Sequence, residues 1–263
     1  MMETWLAALG GATLGVMESV GQFAFLAQST LRWIFKGKIE WRQTLIQCAR
    51  IGADSLPVTV MATFFTGMVL ALQGGASTEH FFNQPLFVGM LVGFAIVMEL
   101  APVMTALVVA GRAGAAIAAE LGTMKVTEQI DALYTLGTDP VRYLIIPRVL
   151  AFILVMPFLV VISDFSGILG GYLVARVKYQ IPPSVFWHDI IDTMRVRHFM
   201  HGYIKAYVFA VAISLICCYK GVTSRGGAEG VGKSTTQAVV LSMVAIFILD
   251  YLATAVLVAL GIT

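Results

Sequence analysis

The chain has 263 residues, of which 59% are hydrophobic and only 12% are charged. Soluble domains carry about 25% charged residues, so this composition excludes an ordinary soluble globular protein and indicates an integral membrane protein. The net charge of +2 is too small to indicate a nucleic-acid partner. The three cysteines, two of them adjacent, fit neither a disulfide framework nor a metal-binding spacing.

Residues 1–50 are predicted to form an amphipathic N-terminal segment that lies in the membrane interface. Between residues 32 and 42, basic side chains alternate with Trp33 and Trp41, and this mixture suits the lipid headgroup layer. The alternative is that part of the segment forms an additional span. We do not expect a cleaved secretory signal, because no Lys or Arg precedes Arg32.

Residues 51–263 are predicted to form a transmembrane domain, so the expected fold is an all-α integral membrane protein. Five apolar segments are each long enough to cross a bilayer as a helix. They cover residues 54–76, 86–111, 143–175, 202–220 and 236–260.

A short helix is predicted in the connection between the second and third spans, TMKVTEQIDALYTLGTDP. Val126, Ile130 and Leu133 would share its apolar face, and Gly137 and Pro140 would end it. From the residues alone, this helix suits a solvated surface position and a docking role for another protein equally well.

The distribution of Lys and Arg predicts the orientation in the membrane. If the chain crosses five times, twelve of these residues fall on one side and five on the other. The twelve include Lys36, Lys38 and Arg225, and the five include Arg176 and Arg197. Because basic residues are retained in the cytoplasm, the N-terminus is predicted to be cytoplasmic and the C-terminus external.

The sequence GAEGVGKS, from Gly227 to Ser234, matches the phosphate-binding loop pattern G-x-x-x-x-G-K-[ST]. Such a loop must follow a buried strand and begin a helix of a soluble α/β domain. Here it connects two predicted spans, and no strand pattern precedes it. We therefore expect a glycine turn at the membrane surface rather than a nucleotide site.

Four ionisable residues lie at membrane depth: Glu99, Asp164, Lys205 and Asp250. Charged groups at this depth are costly and usually face one another or an interior cavity. At 1.5 Å per residue, Lys205 and Asp250 both lie roughly 21–23 Å along their spans, so they can form an ion pair. Glu99 precedes Pro102, which frees a backbone carbonyl. These four residues are our candidates for a substrate pathway or gate, although a purely structural polar clamp is an equally good interpretation.

No catalytic site and no metal site are predicted, and we do not expect an enzyme. His198 and His201 could share a helical face, but two histidines alone are a weak indication of a metal site. No Ser-His-Asp set, paired carboxylates or Cys-His set stands out along the chain.

The run GRAGAAIAAELGTMKVTEQIDAL and the following LGTDPVRYLIIPRVLA strongly resemble the MlaE/YrbE family. MELAPVMTALVVAGRAG and GGAEGVGKSTTQAVV are similar to the same family, so that the resemblance covers nearly the whole chain. It is weakest over residues 1–50 and over residues 178–201. Many members of the family have Gly where this chain has Ala101.

This resemblance implies a homodimeric permease subunit of an ABC transporter in a bacterial inner membrane, or in an organelle derived from a bacterium. Two cytoplasmic ATPase subunits would bind the ATP, so the permease itself would carry no cofactor, and an MCE protein would lie outside. The implied cargo is phospholipid or a similar lipid. The helix between the second and third spans docks on the ATPase in that family, which assigns docking to Thr127, Glu128, Gln129 and Asp131.

Two other classes of function fit the sequence less well. An ion-gradient-driven carrier would use Glu99, Asp164 and Asp250 as proton or cation sites, and it predicts inverted repeats around a midplane site. We find no repeat in the sequence, and five spans do not divide evenly. An intramembrane enzyme would need a nucleophile or a metal cluster, and neither is recognisable in the sequence.

Overall fold

The computed structural model describes residues 2–36, 39–82 and 87–261, with the backbone alone for residues 2–13, 16, 35, 36, 81 and 82. These ranges contain helices and no strand. The α-helices are α1 (Met2–Lys36), α2 (Trp41–Phe82), α3 (Val88–Ala95), α4 (Ala101–Val109), α5 (Ala115–Val126), α6 (Gln129–Thr135), α7 (Ile146–Val177), α8 (Pro183–Thr193), α9 (Val196–Val222) and α10 (Gly227–Ala259).

Five of the helical stretches are long and apolar enough to span a membrane, which confirms the predicted all-α membrane fold. They are α2, the continuous stretch from α3 to α5, α7, α9 and α10. The 42 residues of α2 measure about 63 Å, roughly twice the thickness of the hydrocarbon core. Residues 41–50 therefore belong to the helix of the first span and extend out of the bilayer. Lys38 and residues 83–86, which includes the predicted start of the second span, lie outside the described residues.

Two π-helical turns interrupt the second span, Ile96–Leu100 and Ala110–Gly114, and a third precedes α7 at Val141–Ile145. The first contains Glu99 and is followed by Pro102, which has no N–H to donate to the preceding turn. The N–H of Ala101 instead bonds to the carbonyl of Ile96, five residues back. π-turns of this kind are frequent at functional sites.

Glycines allow α2 and α7 to pack along most of their length. A Cβ atom on Gly67 would lie 1.9 Å from the carbonyl oxygen of Gly167, and one on Gly170 would lie 2.1 Å from that of Phe64. Such close approach of two backbones is how helices associate in lipid, where hydrophobic burial does not drive association.

The connections meet at two ends of the bundle. The α6 end contains α6, the first turns of α2, α7 and α10, and the last turn of α9. The opposite α8 end contains α8, which packs on α3 and α7. α10 is the least covered span: 11% of its most apolar stretch is buried, against 61% for the span that contains α7.

Candidate functional site

A cluster of charged side chains lies between α9, α10 and the first π-turn. The Lys205 side chain is completely buried, and its Nζ lies 2.5 Å from Glu99 Oε2 and 2.8 Å from Asp250 Oδ1. The contact to Glu99 is a hydrogen bond. The contact to Asp250 lacks hydrogen-bonding geometry and is an ion pair. The structure thus brings Lys205 and Asp250 together, as their heights predict, and adds Glu99.

The cluster extends to two residues that the sequence analysis did not assign to it. Thr254 Oγ1, one turn beyond Asp250, lies 3.4 Å from Glu99 Oε1. His201, one turn before Lys205, is fully buried, and neither ring nitrogen has a hydrogen-bond partner among the described residues. The i, i+4 spacing of His201 and Lys205 was the available signal, because it places both on one helical face.

The Glu99 side chain is 41% exposed in this single chain, whereas Lys205 is not exposed at all. Two carboxylates therefore face one ammonium group, and one of them is partly exposed. Charged groups at membrane depth are costly and often mark functional positions, which makes this cluster the candidate site.

Asp164, the fourth candidate, does not join this cluster. Its side chain is 5% exposed, and Oδ1 has no hydrogen-bond partner in the described part of the chain. Oγ1 of Thr105 donates a buried hydrogen bond to Oγ of the neighbouring Ser163 at 2.9 Å. Asp164 therefore forms no ion pair with Lys205 in the described part of the chain.

The predicted short helix is α6, and it lies directly after the second span. Its candidate docking residues Thr127, Glu128, Gln129 and Asp131 are all exposed, while Ile130 is buried against the bundle. Asp131 pairs with Lys125 at 2.9 Å. Glu128 precedes the helix with a φ of 62° and forms no side-chain cap.

The sequence GAEGVGKS does not form a phosphate-binding loop. Gly226 and Gly227 have φ values of 92° and 68° and make the turn, after which the remaining residues form the first turns of α10. Lys233 is exposed on that helix. The described residues place no strand before this turn, and the strand is what a nucleotide-binding loop requires.

Comparison with known proteins agrees with this architecture. The sequence pattern of the family described as Permease MlaE matches residues 44–256. A probable ABC transporter permease protein of Rickettsia typhi is 43% identical over 95% of this chain and 96% of its own length. A probable ABC transporter permease protein of Synechocystis is 41% identical over 86% of each chain.

A plant protein is also similar. The chloroplastic protein TRIGALACTOSYLDIACYLGLYCEROL 1 of Arabidopsis thaliana is 44% identical over 83% of this chain and 62% of its own length. Matches of this extent, together with five spans and an exposed helix between the second and third, leave one conclusion. The chain belongs to the MlaE family of ABC transporter permeases.

Proposed function

We propose that the chain is the membrane subunit of an ABC transporter that moves phospholipid, or a similar lipid, between the inner membrane and the outer envelope. The observation that carries this proposal is the juxtaposition of the Lys205 cluster with the uncovered apolar face of α10. A phospholipid has a charged headgroup and long apolar chains. A pathway for it therefore needs a polar contact at membrane depth next to an apolar wall.

The apolar wall is extensive. Among the large side chains of α10, Phe247, Ile248 and Tyr251 are 59%, 57% and 74% exposed. A neighbouring groove of about 730 Å³ lies between α1, α9 and α10, and it is lined by side chains such as Phe23, Val211 and Leu249. Burial of acyl chains against such surfaces is favourable by about 0.8 kcal/mol per CH₂ group.

The proposed assembly is a homodimer, and the small number of spans in one chain supports it. Five spans are few for enclosing a lipid-sized pathway, and a second copy against α10 would supply ten helices and cover its exposed face. The Glu99 carboxylates of the two copies would then line a shared cavity. An external MCE protein would receive or deliver the lipid.

Energy would come from separate ATPase subunits at the α6 end, which we assign to the cytoplasm. The exposed carboxylate of Glu128 and the exposed side chains of Thr127, Gln129 and Asp131 suit docking into a groove of such a subunit. Arg42, Arg50 and Arg225 are exposed at the same end, which agrees with the retention of basic residues in the cytoplasm.

The name of the Arabidopsis relative refers to trigalactosyldiacylglycerol, a glycolipid, which supports a lipid cargo for this chain.

The alternative is a carrier driven by an ion gradient. The excess carboxylate of the Lys205 cluster and the unpaired Asp164 favour it, because both are suited to proton binding.

Purification of the tagged permease from its native membrane in mild detergent, followed by native mass spectrometry, tests the proposal. We expect a complex with two copies of the permease, ATPase subunits and co-purifying phospholipid. A permease that carries no lipid and no ATPase, while remaining folded, would contradict the proposal.

A further inference from the structure

A polar cavity lies at the α6 end, away from the Lys205 cluster. Its volume is about 280 Å³, and it is enclosed by the first turns of α2, the end of α5 and the start of α7. The polar residues that line it are Gln43, Gln47, Arg50, Glu120, Tyr143 and Arg148. No candidate residue of the transport pathway or of the docking helix lines it.

The cavity contains a buried hydrogen-bond donor without a partner. Gln47 lines the cavity and is 8% exposed. Arg148 is 4% exposed; its Nη1 donates to the carbonyl of Leu144 at 2.6 Å and its Nη2 lies 3.1 Å from Glu120, but its Nε has no partner there. Buried donors normally have partners, because an unsatisfied donor loses its hydrogen bonds to water without replacement. A ligand with acceptor oxygens would supply the missing partner.

The charge of the cavity selects an anion. The guanidinium groups of Arg50 and Arg148 face a single carboxylate, Glu120, which already pairs with Arg148. The amides of Gln43 and Gln47 and the hydroxyl of Tyr143 add neutral donors around them. A phosphate group has the charge and the acceptor oxygens that match this set, and arginine is the residue best suited to bind it.

The residues at the rim of the cavity indicate which kind of molecule carries the phosphate group. Ile46 lines the cavity and is 41% exposed, and the adjacent Leu45 is 63% exposed on the same helix. An apolar rim next to a basic pocket suits a molecule that joins a phosphate to acyl chains. Basic pockets between transmembrane helices at the cytoplasmic surface are a recognised class of site for anionic headgroups.

We propose that this cavity binds the phosphate of an anionic phospholipid from the leaflet at the α6 end. Arg50, Arg148 and Gln47 contact the phosphate, and Leu45 and Ile46 contact the first part of the acyl chains. The site is separate from the cargo pathway, so it remains whichever lipid the transporter moves.

The test measures lipid affinity of the full-length permease in neutral detergent by native mass spectrometry. Phosphatidylglycerol and phosphatidylcholine with the same acyl chains are titrated against the wild type, Arg50→Gln and Gln47→Leu. Arg42→Gln is the matched control, because Arg42 is exposed on the same helix but does not line the cavity. Arg148 is left unchanged, because its pairing with Glu120 is part of the packing.

We expect the wild type to prefer phosphatidylglycerol, and Arg50→Gln and Gln47→Leu to weaken its binding about tenfold and severalfold, with unchanged melting temperatures in lipid-free detergent. Arg42→Gln should bind as the wild type does. Equal weakening in Arg42→Gln would show diffuse surface attraction and overturn the proposal.

Inorganic phosphate is the second arm of the experiment. At millimolar concentration it should compete only weakly, because it lacks the acyl chains. Full displacement of the lipid by inorganic phosphate would mean that the site holds a free ion and would overturn the assignment to lipid. Unchanged lipid binding in Arg50→Gln, together with loss of ATPase co-purification, would identify the cavity as a protein contact and would overturn it as well.

Discussion

At the scale of single residues, the environment of Lys205 decides how the site is built. An ammonium group that is completely buried at membrane depth requires compensation. Two carboxylates provide it, one on α10 and one in the π-turn of the second span. The same arrangement stabilises the packing of three helices and leaves the Glu99 carboxylate accessible to a ligand.

A double-mutant cycle tests whether Lys205 and Asp250 stabilise the fold as a pair. Lys205→Met should cost about 3–5 kcal/mol of stability, because it leaves two carboxylates without a partner. Asp250→Leu should cost less, because Glu99 still contacts Lys205. The double variant should regain part of the loss, and unfolding in detergent measures all four proteins.

Strictly additive losses would show that the two side chains do not interact, and the geometry described above would then be wrong. Lipid transport is measured in the same preparations. A double variant that is stable but does not transport would assign the pair a role in transport as well as in folding.

The sequence allowed the Lys205–Asp250 contact to be predicted, because α9 and α10 are regular helices in which height follows from residue count. Glu99 could be placed at membrane depth but not in the cluster, because the π-turn changes the register of the helix around it. Asp164 could also be placed at membrane depth, but whether it joins the cluster could not be predicted. The direction in which a side chain points depends on the rotation of its helix, which packing alone sets.

At the scale of elements, the close packing of α2 against α7 depends on glycines, which have no side chain at the contact. The Cβ of Gly67→Ala would collide with a backbone carbonyl, which cannot move away as a flexible side chain can. We expect this substitution to cost about 1–3 kcal/mol and to lower the melting temperature in detergent.

Gly232→Ala is the control, since it adds a methyl group to a helix where nothing lies within 4 Å. It should be neutral or slightly stabilising. Equal melting temperatures for Gly67→Ala, Gly232→Ala and the wild type would mean that α2 and α7 do not approach as closely as described.

The role of α6 is tested by reversing its charges. Glu128→Lys with Asp131→Lys should release the ATPase from the purified complex, because the reversed side chains would oppose the surface on which they dock. Glu229→Lys is the control: Glu229 is exposed in the first turn of α10 at the same end and is not one of the proposed docking residues. Co-purification followed by immunoblotting measures the ATPase. Retention of the full amount by the first variant would refute docking through Glu128.

The existence of α6 was predictable from its apolar spacing and from Gly137 and Pro140. The function of α6 was not predictable from the residues, because an exposed acidic face is equally compatible with contact to solvent and contact to a partner protein.

The length of α2 was underestimated, because residues 41–50 are too polar to enter the membrane but still continue its helix. The boundary between an N-terminal segment of residues 1–50 and a membrane domain of residues 51–263 remains a prediction.

At the scale of the whole molecule, the basic residues predict one orientation in the membrane. Cysteines introduced at Ala228 and Ser184, both exposed, should react with an impermeant reagent from opposite sides. Ala228 is preferable to the neighbouring Ser224, which is 2% exposed. Labelling of both positions from the same side would contradict the five-span arrangement.

Composition and apolar segments were sufficient to predict the membrane fold, because the bilayer dictates the length and polarity of every span. The oligomeric assembly could not be predicted in the same way. The uncovered face of α10 is equally apolar whether lipid or a second copy lies against it, so sequence periodicity cannot distinguish the two.

The most direct test of the account is lipid movement in proteoliposomes that contain the permease and its ATPase. We predict that transfer of a fluorescent phospholipid to an external acceptor requires ATP hydrolysis, is unaffected by ionophores that abolish ion gradients, and falls sharply in Glu99→Gln. Transfer that continues without ATP and stops when an ionophore is added would contradict the account and support a carrier driven by an ion gradient.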